Sequence, residues 1–176
     1  MTARWQDQFN TFSASVGASW QPTANVARKN PIERFMQLGF PTTKNEDWHF
    51  TSVAPIVERE FTFVPARTGD IRPADLAQFG FGDDWHTAVF VNGRYASELS
   101  DLSRLDAGVR GLSLADAWSK APELASKVGS ILSEPETHAF TMLNTAFMPD
   151  GIVIHVAKDV ELKKPIHVLF VSDAHA

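Results

Sequence analysis

Gly151-Ile152-Val153-Ile154-His155-Val156-Ala157-Lys158-Asp159-Val160-Glu161-Leu162-Lys163-Lys164-Pro165-Ile166-His167-Val168-Leu169-Phe170-Val171 is the stretch on which the fold turns. Ile152, Ile154 and Val156 alternate with Val153 and His155, a period of two. Val160 and Leu162 repeat the pattern after Lys158-Asp159. Ile166, Val168 and Phe170 repeat it after Pro165, alternating with His167, Leu169 and Val171. With Asp, Gly, Lys and Pro as turn residues between them, three short strands are predicted. Both faces of these strands are partly apolar, which predicts a β-solenoid or a sandwich rather than a half-solvated sheet. A solenoid coil buries itself only against neighbouring coils, so several coils and a cap are needed. The chain ends a few residues past the third strand, at Ala176. It therefore reads as the front portion of something longer, with an unpaired edge through which it would self-associate.

Upstream the period changes to that of a helix. Trp5, Phe9, Phe12, Val16 and Trp20 fall at spacings of three and four and line one helical face. That aromatic face needs either a core neighbour or another protein chain. A second helix is predicted from Asn30, with Pro31 at its first position, Glu33 in a capping-box position and Gly39 ending it. Thr43 and Glu46 have the same capping-box spacing and predict a short helical turn carrying Glu46, Asp47 and Trp48, which Pro55 keeps short. Phe61-Thr62-Phe63-Val64 reads as a short strand before Pro65. Residues 66–85 read as connection, with Gly69, Pro73, Gly80 and Gly82 and one helical turn at Ala74–Phe79. Asn92-Gly93, between Thr87-Ala88-Val89-Phe90-Val91 and Arg94-Tyr95, is the favoured two-residue hairpin turn. From Ser113 to Phe147 the spacing is helical, broken into three pieces by Pro122 and Pro135.

Composition excludes several function classes. The 176 residues are 44% hydrophobic and 21% charged, an ordinary globular balance that argues against global disorder. Residues 1–60 hold 6 Lys+Arg and 6 Asp+Glu, so the net charge of −5 resides in the 10 basic and 15 acidic residues that follow. An acidic chain without a basic tract does not suit nucleic acid or an anionic membrane surface. No run approaches the ~20 apolar residues of a membrane span, and Met1–Trp20 lacks the pattern of a signal peptide. A cytoplasmic location is expected. The cysteine count is 0, which excludes disulfides, a thiolate zinc site, a cysteine nucleophile and a thiolate-held iron–sulfur cluster on these residues.

Catalytic motifs are equally absent. Gly80-Phe81-Gly82 lacks the third glycine of a dinucleotide fingerprint, and no P-loop, GxSxG or HExxH pattern occurs. His155 and His167 would converge if their strands stacked as neighbouring coils, and Asp159 or Glu161 could then complete a metal site. The plainer reading makes them half-buried strand residues bonded to backbone or water. His49 lies beside Glu46 and Asp47; those carboxylates are adjacent in sequence, point apart on a helix and suit its positive end better than paired catalysis. Asp83-Asp84 reads as a solvated loop doublet, and Lys163-Lys164 as too small a basic patch for nucleic acid. The expected sites are therefore none of catalytic, cofactor-binding or metal type.

Gly39-Phe40-Pro41-Thr42-Thr43-Lys44-Asn45-Glu46-Asp47-Trp48-His49-Phe50-Thr51 resembles the G-x-P-T-x-x-x-E-[DE]-W-[KRH]-[FY]-T signature of the SufB/SufD family, the scaffold proteins of Suf iron–sulfur cluster assembly. Leu143-Asn144-Thr145-Ala146-Phe147, Asp150-Gly151 and Pro165–Phe170 resemble that family's entry into its β-helix. Val91–Tyr95, Gly108-Val109 and Ser113-Leu114 match the spacing of its SufD branch, which the short helical front and the lack of cysteine also favour. The resemblance implies an α+β fold: an N-terminal mostly helical domain over residues 1–148, then the first coils of a right-handed parallel β-helix over 149–176. It implies a non-catalytic scaffold subunit that works with a SufB-like scaffold and a SufC-like ATPase. Their complex handles an iron–sulfur cluster, ATP on the ATPase and a reduced flavin, none of them bound by these residues. The partner contacts and assembly-site residues of the family would lie beyond Ala176, so no catalytic or cluster-ligating role transfers to a position here. Two rivals remain: a module of an unrelated, polysaccharide-processing β-solenoid, and an interaction domain that uses the Trp5/Phe9/Phe12 face.

Overall fold

A computed structural model describes residues 3–16, 30–63, 71–102, 104–128, 130 and 138–173. Trp20, Val64-Pro65, Gly69, Ile131 and Pro135, which carried sequence expectations, lie outside those residues. The chain divides into two compact units, each built from two separate stretches: residues 1–65 with 126–148, and residues 66–125 with 149–176. Among the described residues no helix is long and apolar enough to cross a membrane.

The first unit is helical. It contains α1 (Ala3–Val16), α2 (Pro31–Leu38), a 3-10 turn (Glu46–Trp48), α3 (Ala54–Glu58) and α7 (Ala139–Ala146). The helical face predicted for α1 turns into this unit's own core. Phe12 is fully buried, and its ring lies 5.2 Å from Phe63 and 5.4 Å from Phe147. Trp5 meets Phe35, Phe40 and Phe147 edge-on at 6.0, 5.8 and 6.2 Å, the geometry aromatic quadrupoles favour. Ile32, Phe35, Met142 and Ala146 form the buried centre, on which Trp5, Phe9, Phe40 and Phe147 pack. The aromatic face therefore has a core neighbour, and the rival interaction domain loses its proposed surface.

Local chemistry accounts for the ends of α2. Pro31 occupies its first turn as expected, and Gly39 closes it at φ 67°, its N–H bonding to the Phe35 carbonyl at 2.8 Å. Asn30 precedes the helix without making a side-chain cap, so the box with Glu33 is not formed. The expected strand at Phe61-Thr62-Phe63 is also absent: the Phe63 N–H bonds to the Gln8 side chain rather than to a ladder partner.

The second unit is mixed. It contains α4 (Pro73–Leu76) and a following 3-10 turn (Ala77–Phe79), β1 (His86–Val91), β2 (Arg94–Tyr95), a 3-10 turn (Ser97–Leu99), β3 (Val109–Ser113), α5 (Leu114–Lys120), α6 (Pro122–Ala125), β4 (Ile152–Val156) and β5 (Ile166–Val171). The hairpin forms at Asn92-Gly93, both at positive φ (48° and 80°), pairing Phe90 with Tyr95. A turn with positive φ at both central residues matches the twist of the strands it joins. Asn92 also ties the hairpin to the end of β5, donating from Nδ2 to Asp173 Oδ1 at 2.9 Å and accepting from the Asp173 N–H at 3.1 Å. The α4 start is a capping box in which the Asp75 carboxylate takes the Arg72 backbone N–H and guanidinium. The side-chain bond from Arg72 chiefly holds the Asp75 carboxyl below the usual carboxylate range.

The parallel β-helix expected from residue 149 onward is not what these residues form. β5 pairs in parallel with β1, from His86 opposite Ile166 to Val91 opposite Val171, giving the sheet order β2-β1-β5. β4 pairs antiparallel with β3, from Val109 opposite Val156 to Ser113 opposite Ile152, in a separate two-stranded sheet. The two strands expected to stack on one another thus find different partners. The middle strand is a loop: Asp159 takes φ 61°, the Val160 N–H turns back to the Ala157 carbonyl at 3.2 Å, and the Lys163 N–H bonds to the Asp106 carboxylate at 2.9 Å. Among the described residues there is no solenoid coil, so the open solenoid end and the polysaccharide-processing rival lose their premise.

The segment from Ser113 turns helical as expected, in α5 and α6. Ser113 Oγ caps α5 by accepting from the Asp116 N–H at 3.0 Å. Removing such a cap costs about 1 kcal/mol. Ser113→Ala is therefore expected to lower the unfolding free energy by that amount in urea titrations, and Ser113→Asp to restore most of it. Asp150, just ahead of β4, accepts from the Tyr95 and Gly151 N–H groups at 3.0 and 2.8 Å.

Candidate functional site

The signature stretch, residues 39–51, lies within the first unit and is organised by its own short-range bonds. Asn45 Oδ1 accepts from the Thr42 N–H at 2.8 Å and its hydroxyl at 3.2 Å, while the Asn45 N–H donates to the Thr42 carbonyl at 2.9 Å. This Thr42–Asn45 clasp, and not the expected Thr43–Glu46 box, launches the 3-10 turn. The turn places Trp48 against Phe140 of α7, ring centroids 5.3 Å apart, and Phe140 in turn meets Phe40 at 5.6 Å. Half of the signature is thus structural. The other half faces solvent: Glu46, Asp47 and His49 are exposed, and Phe50 is 97% exposed. His49 Nδ1 lies 3.3 Å from the Thr43 carbonyl, and its ring packs edge-on against Phe50 at 4.7 Å.

Two grooves flank Phe40-Pro41. One, of about 390 Å³, is walled by Phe40, Pro41, Val53, Ala54 and Val57, with Glu58 at its edge. The other, of about 530 Å³, runs past Glu46, Asp47 and Trp48 to His138 and Phe140. Neither is legible in the sequence, because groove formation depends on where residues 53–57 and α7 come to rest.

A third groove, of about 630 Å³, lies in the second unit and gathers several of the residues singled out from sequence. Asp83, Lys163, Lys164 and His167 line it together with Trp85, Asp101, Arg104 and Asp106. Its charges offset one another: Arg104 sits 3.5 Å from the Asp101 carboxylate, and Lys164 Nζ donates to the Asp83 carbonyl at 2.8 Å. Phe81 stacks on Trp85 at 4.6 Å and takes the His167 ring edge-on at 4.8 Å.

The histidines do not converge. His155 sits on β4 opposite Arg110, and His167 on β5 opposite Thr87, in different sheets. Both are half-buried, and neither Nδ1 meets a hydrogen-bonding protein group. Asp159 and Glu161 are exposed on the loop between the strands. Among the described residues no group of three or more His, Cys, Asp or Glu could hold a metal ion.

A family model described as the SufBD protein N-terminal region matches residues 1–168. An iron-sulfur cluster assembly SufBD family protein of Synechocystis sp. is 29% identical over 147 residues, which is 82% of this chain and 32% of that protein. The iron-sulfur cluster assembly protein SufD of Escherichia coli is 30% identical over 72 residues, 41% of this chain and 16% of that protein. The chain thus spans a third or less of the length of these curated relatives.

Proposed function

This chain belongs to the SufB/SufD family, and from that premise we propose that it acts in iron–sulfur cluster assembly as part of a SufD-like scaffold subunit. The observation that carries the reading is the family match across residues 1–168; the similarity to the Escherichia coli SufD supports the SufD branch. The role is non-catalytic. A nascent cluster needs thiolate or equivalent ligands, and the 0 cysteines here supply none. These residues therefore supply no thiolate ligand for a cluster, and in this reading the subunit works with a SufB-like scaffold and a SufC-like ATPase, the latter hydrolysing ATP. The complex works in the cytoplasm. What these residues supply is rigid packing in each unit and an accessible signature loop.

The test is genetic and chemical. Deleting the coding region is expected to lower the activities of iron–sulfur enzymes in the cell, with restoration by the intact gene. Undiminished iron–sulfur enzyme activities in the deleted strain would overturn the reading.

A further inference from the structure

We propose that the two grooves flanking Phe40-Pro41 form a single docking surface for an amphipathic, Lys- or Arg-bearing segment of a partner protein. The grooves share Phe40 and Pro41 as a common wall, so an extended or helical segment crossing that ridge would enter both. Their floors differ in chemistry. Phe40, Val53, Ala54 and Val57 offer an apolar bed on one side, while Trp48 and Phe140 offer aromatic surface on the other.

Among the described residues that line the grooves the formal charges are acidic: Glu58 in the first, Glu46 and Asp47 in the second. Lys44 and Arg59 belong to the same stretch of chain but line neither groove. None of the described ion pairs takes up Glu46, Asp47 or Glu58. These carboxylates are therefore available to a cationic partner, and they would speed its encounter and set its orientation.

Phe50 supplies the anchor. It stands in the loop between the lining residues Trp48 and Ser52 and is 97% exposed, with Ile56 of α3 also exposed at 39%. Phe50 itself lines neither groove, but a ring this exposed is free to be buried by a partner, and buried aromatic anchors carry much of the energy of protein interfaces. The occupant is thus a segment with apolar residues for the bed and the ring, and cations for the rim. The proposal stands apart from the cluster-assembly role and does not depend on it.

The experiment uses the whole chain and a fluorescently labelled Leu/Lys amphipathic peptide, with a Leu/Glu peptide of the same pattern as its counterpart. Saturable binding of the Leu/Lys peptide, weakened by salt and absent for the Leu/Glu peptide, is expected. Phe50→Ala should raise Kd about tenfold. Glu46→Gln and Asp47→Asn should each raise it about two- to fourfold and flatten its salt dependence. Asp83→Asn, in the second unit, should leave Kd unchanged. Circular dichroism checks that each variant keeps its fold, which substitutions at exposed positions do not threaten. The proposal is overturned by binding that ignores Phe50→Ala, by equal losses with Asp83→Asn, by preference for the Leu/Glu peptide, or by self-association of the chain that Phe50→Ala abolishes.

Discussion

Phe35→Ala is expected to remove about 3–5 kcal/mol from the stability of the first unit. Phe35 is 0% exposed and sits in the cluster of Ile32, Met142 and Ala146. Its ring meets Phe40 at 5.1 Å and 84° and Trp5 at 6.0 Å and 77°. Truncation removes the buried apolar area and both edge-on contacts, and it leaves a cavity among rings that α1, α2 and α7 hold in place. A domain with a total stability of about 5–15 kcal/mol would lose about a fifth of it or more. Urea unfolding followed by tryptophan emission measures the loss, since Trp5 packs directly on Phe35. Phe50→Ala is the matched control: a ring 97% exposed should cost no more than about 0.5 kcal/mol. Equal costs at the two positions would contradict the packing described here.

Gly108→Val is the second large effect, expected at about 2–5 kcal/mol from positive-φ strain together with overpacking. Gly108 holds φ 85°, a conformation a β-branched residue strongly resists. A Cβ at that position would stand 2.8 Å from Val160 Cγ2 and 3.6 Å from Ala157 Cβ. Val160 lies on the loop between β4 and β5 and cannot retreat freely. The Ala157 N–H bonds to the Gly108 carbonyl at 2.9 Å, and the Val160 N–H to the Ala157 carbonyl at 3.2 Å. Gly108→Ala separates the two contributions in part, because it keeps the strain and the first Cβ contact but adds no branch. Thermal unfolding checks both variants, and a Gly108→Val protein as stable as the parent would contradict the packing of the 157–160 loop on the turn before β3.

What sequence makes legible here is local chemistry. Asn92-Gly93 carries its own turn geometry, so the hairpin follows from two residues. Pro31 and Gly39 bracket α2 by backbone preference alone, and the spacing of Trp5, Phe9 and Phe12 defines a face whichever core receives it. Partner choice is different in kind. The alternation in Ile152–Val156 and Ile166–Val171 identifies strands, yet nothing in it says that one will pair with β3 and the other with β1. β3 itself hides in Val109-Arg110-Gly111-Leu112-Ser113, where Gly111 interrupts the apolar pattern and leaves room for Leu102 and Leu105. Once β3 is missed, β4 and β5 look like each other's natural neighbours, and a solenoid is the consequence.

The signature loop divides along the same line. The short turn carrying Glu46, Asp47 and Trp48 could be read, with Glu46 and Asp47 at its start, but the packing of Trp48 on Phe140 could not. The expected Thr43–Glu46 box gives way to Thr42–Asn45, a pair of the same spacing whose clasp depends on how the finished turn is closed. The exposure of Phe50 was not legible either, since burial depends on what the rest of the unit brings alongside. The one sequence-level hint is its setting between polar His49 and Thr51, away from any apolar period.

The most direct test of the assembly reading is recovery of partners from the organism's own cells. The complete gene product, tagged at its own locus and purified gently, is expected to bring down a SufB-like scaffold and a SufC-like ATPase in stable, roughly stoichiometric amounts. Purification of the tagged protein without either partner, under conditions that preserve other complexes of the same cells, would contradict it.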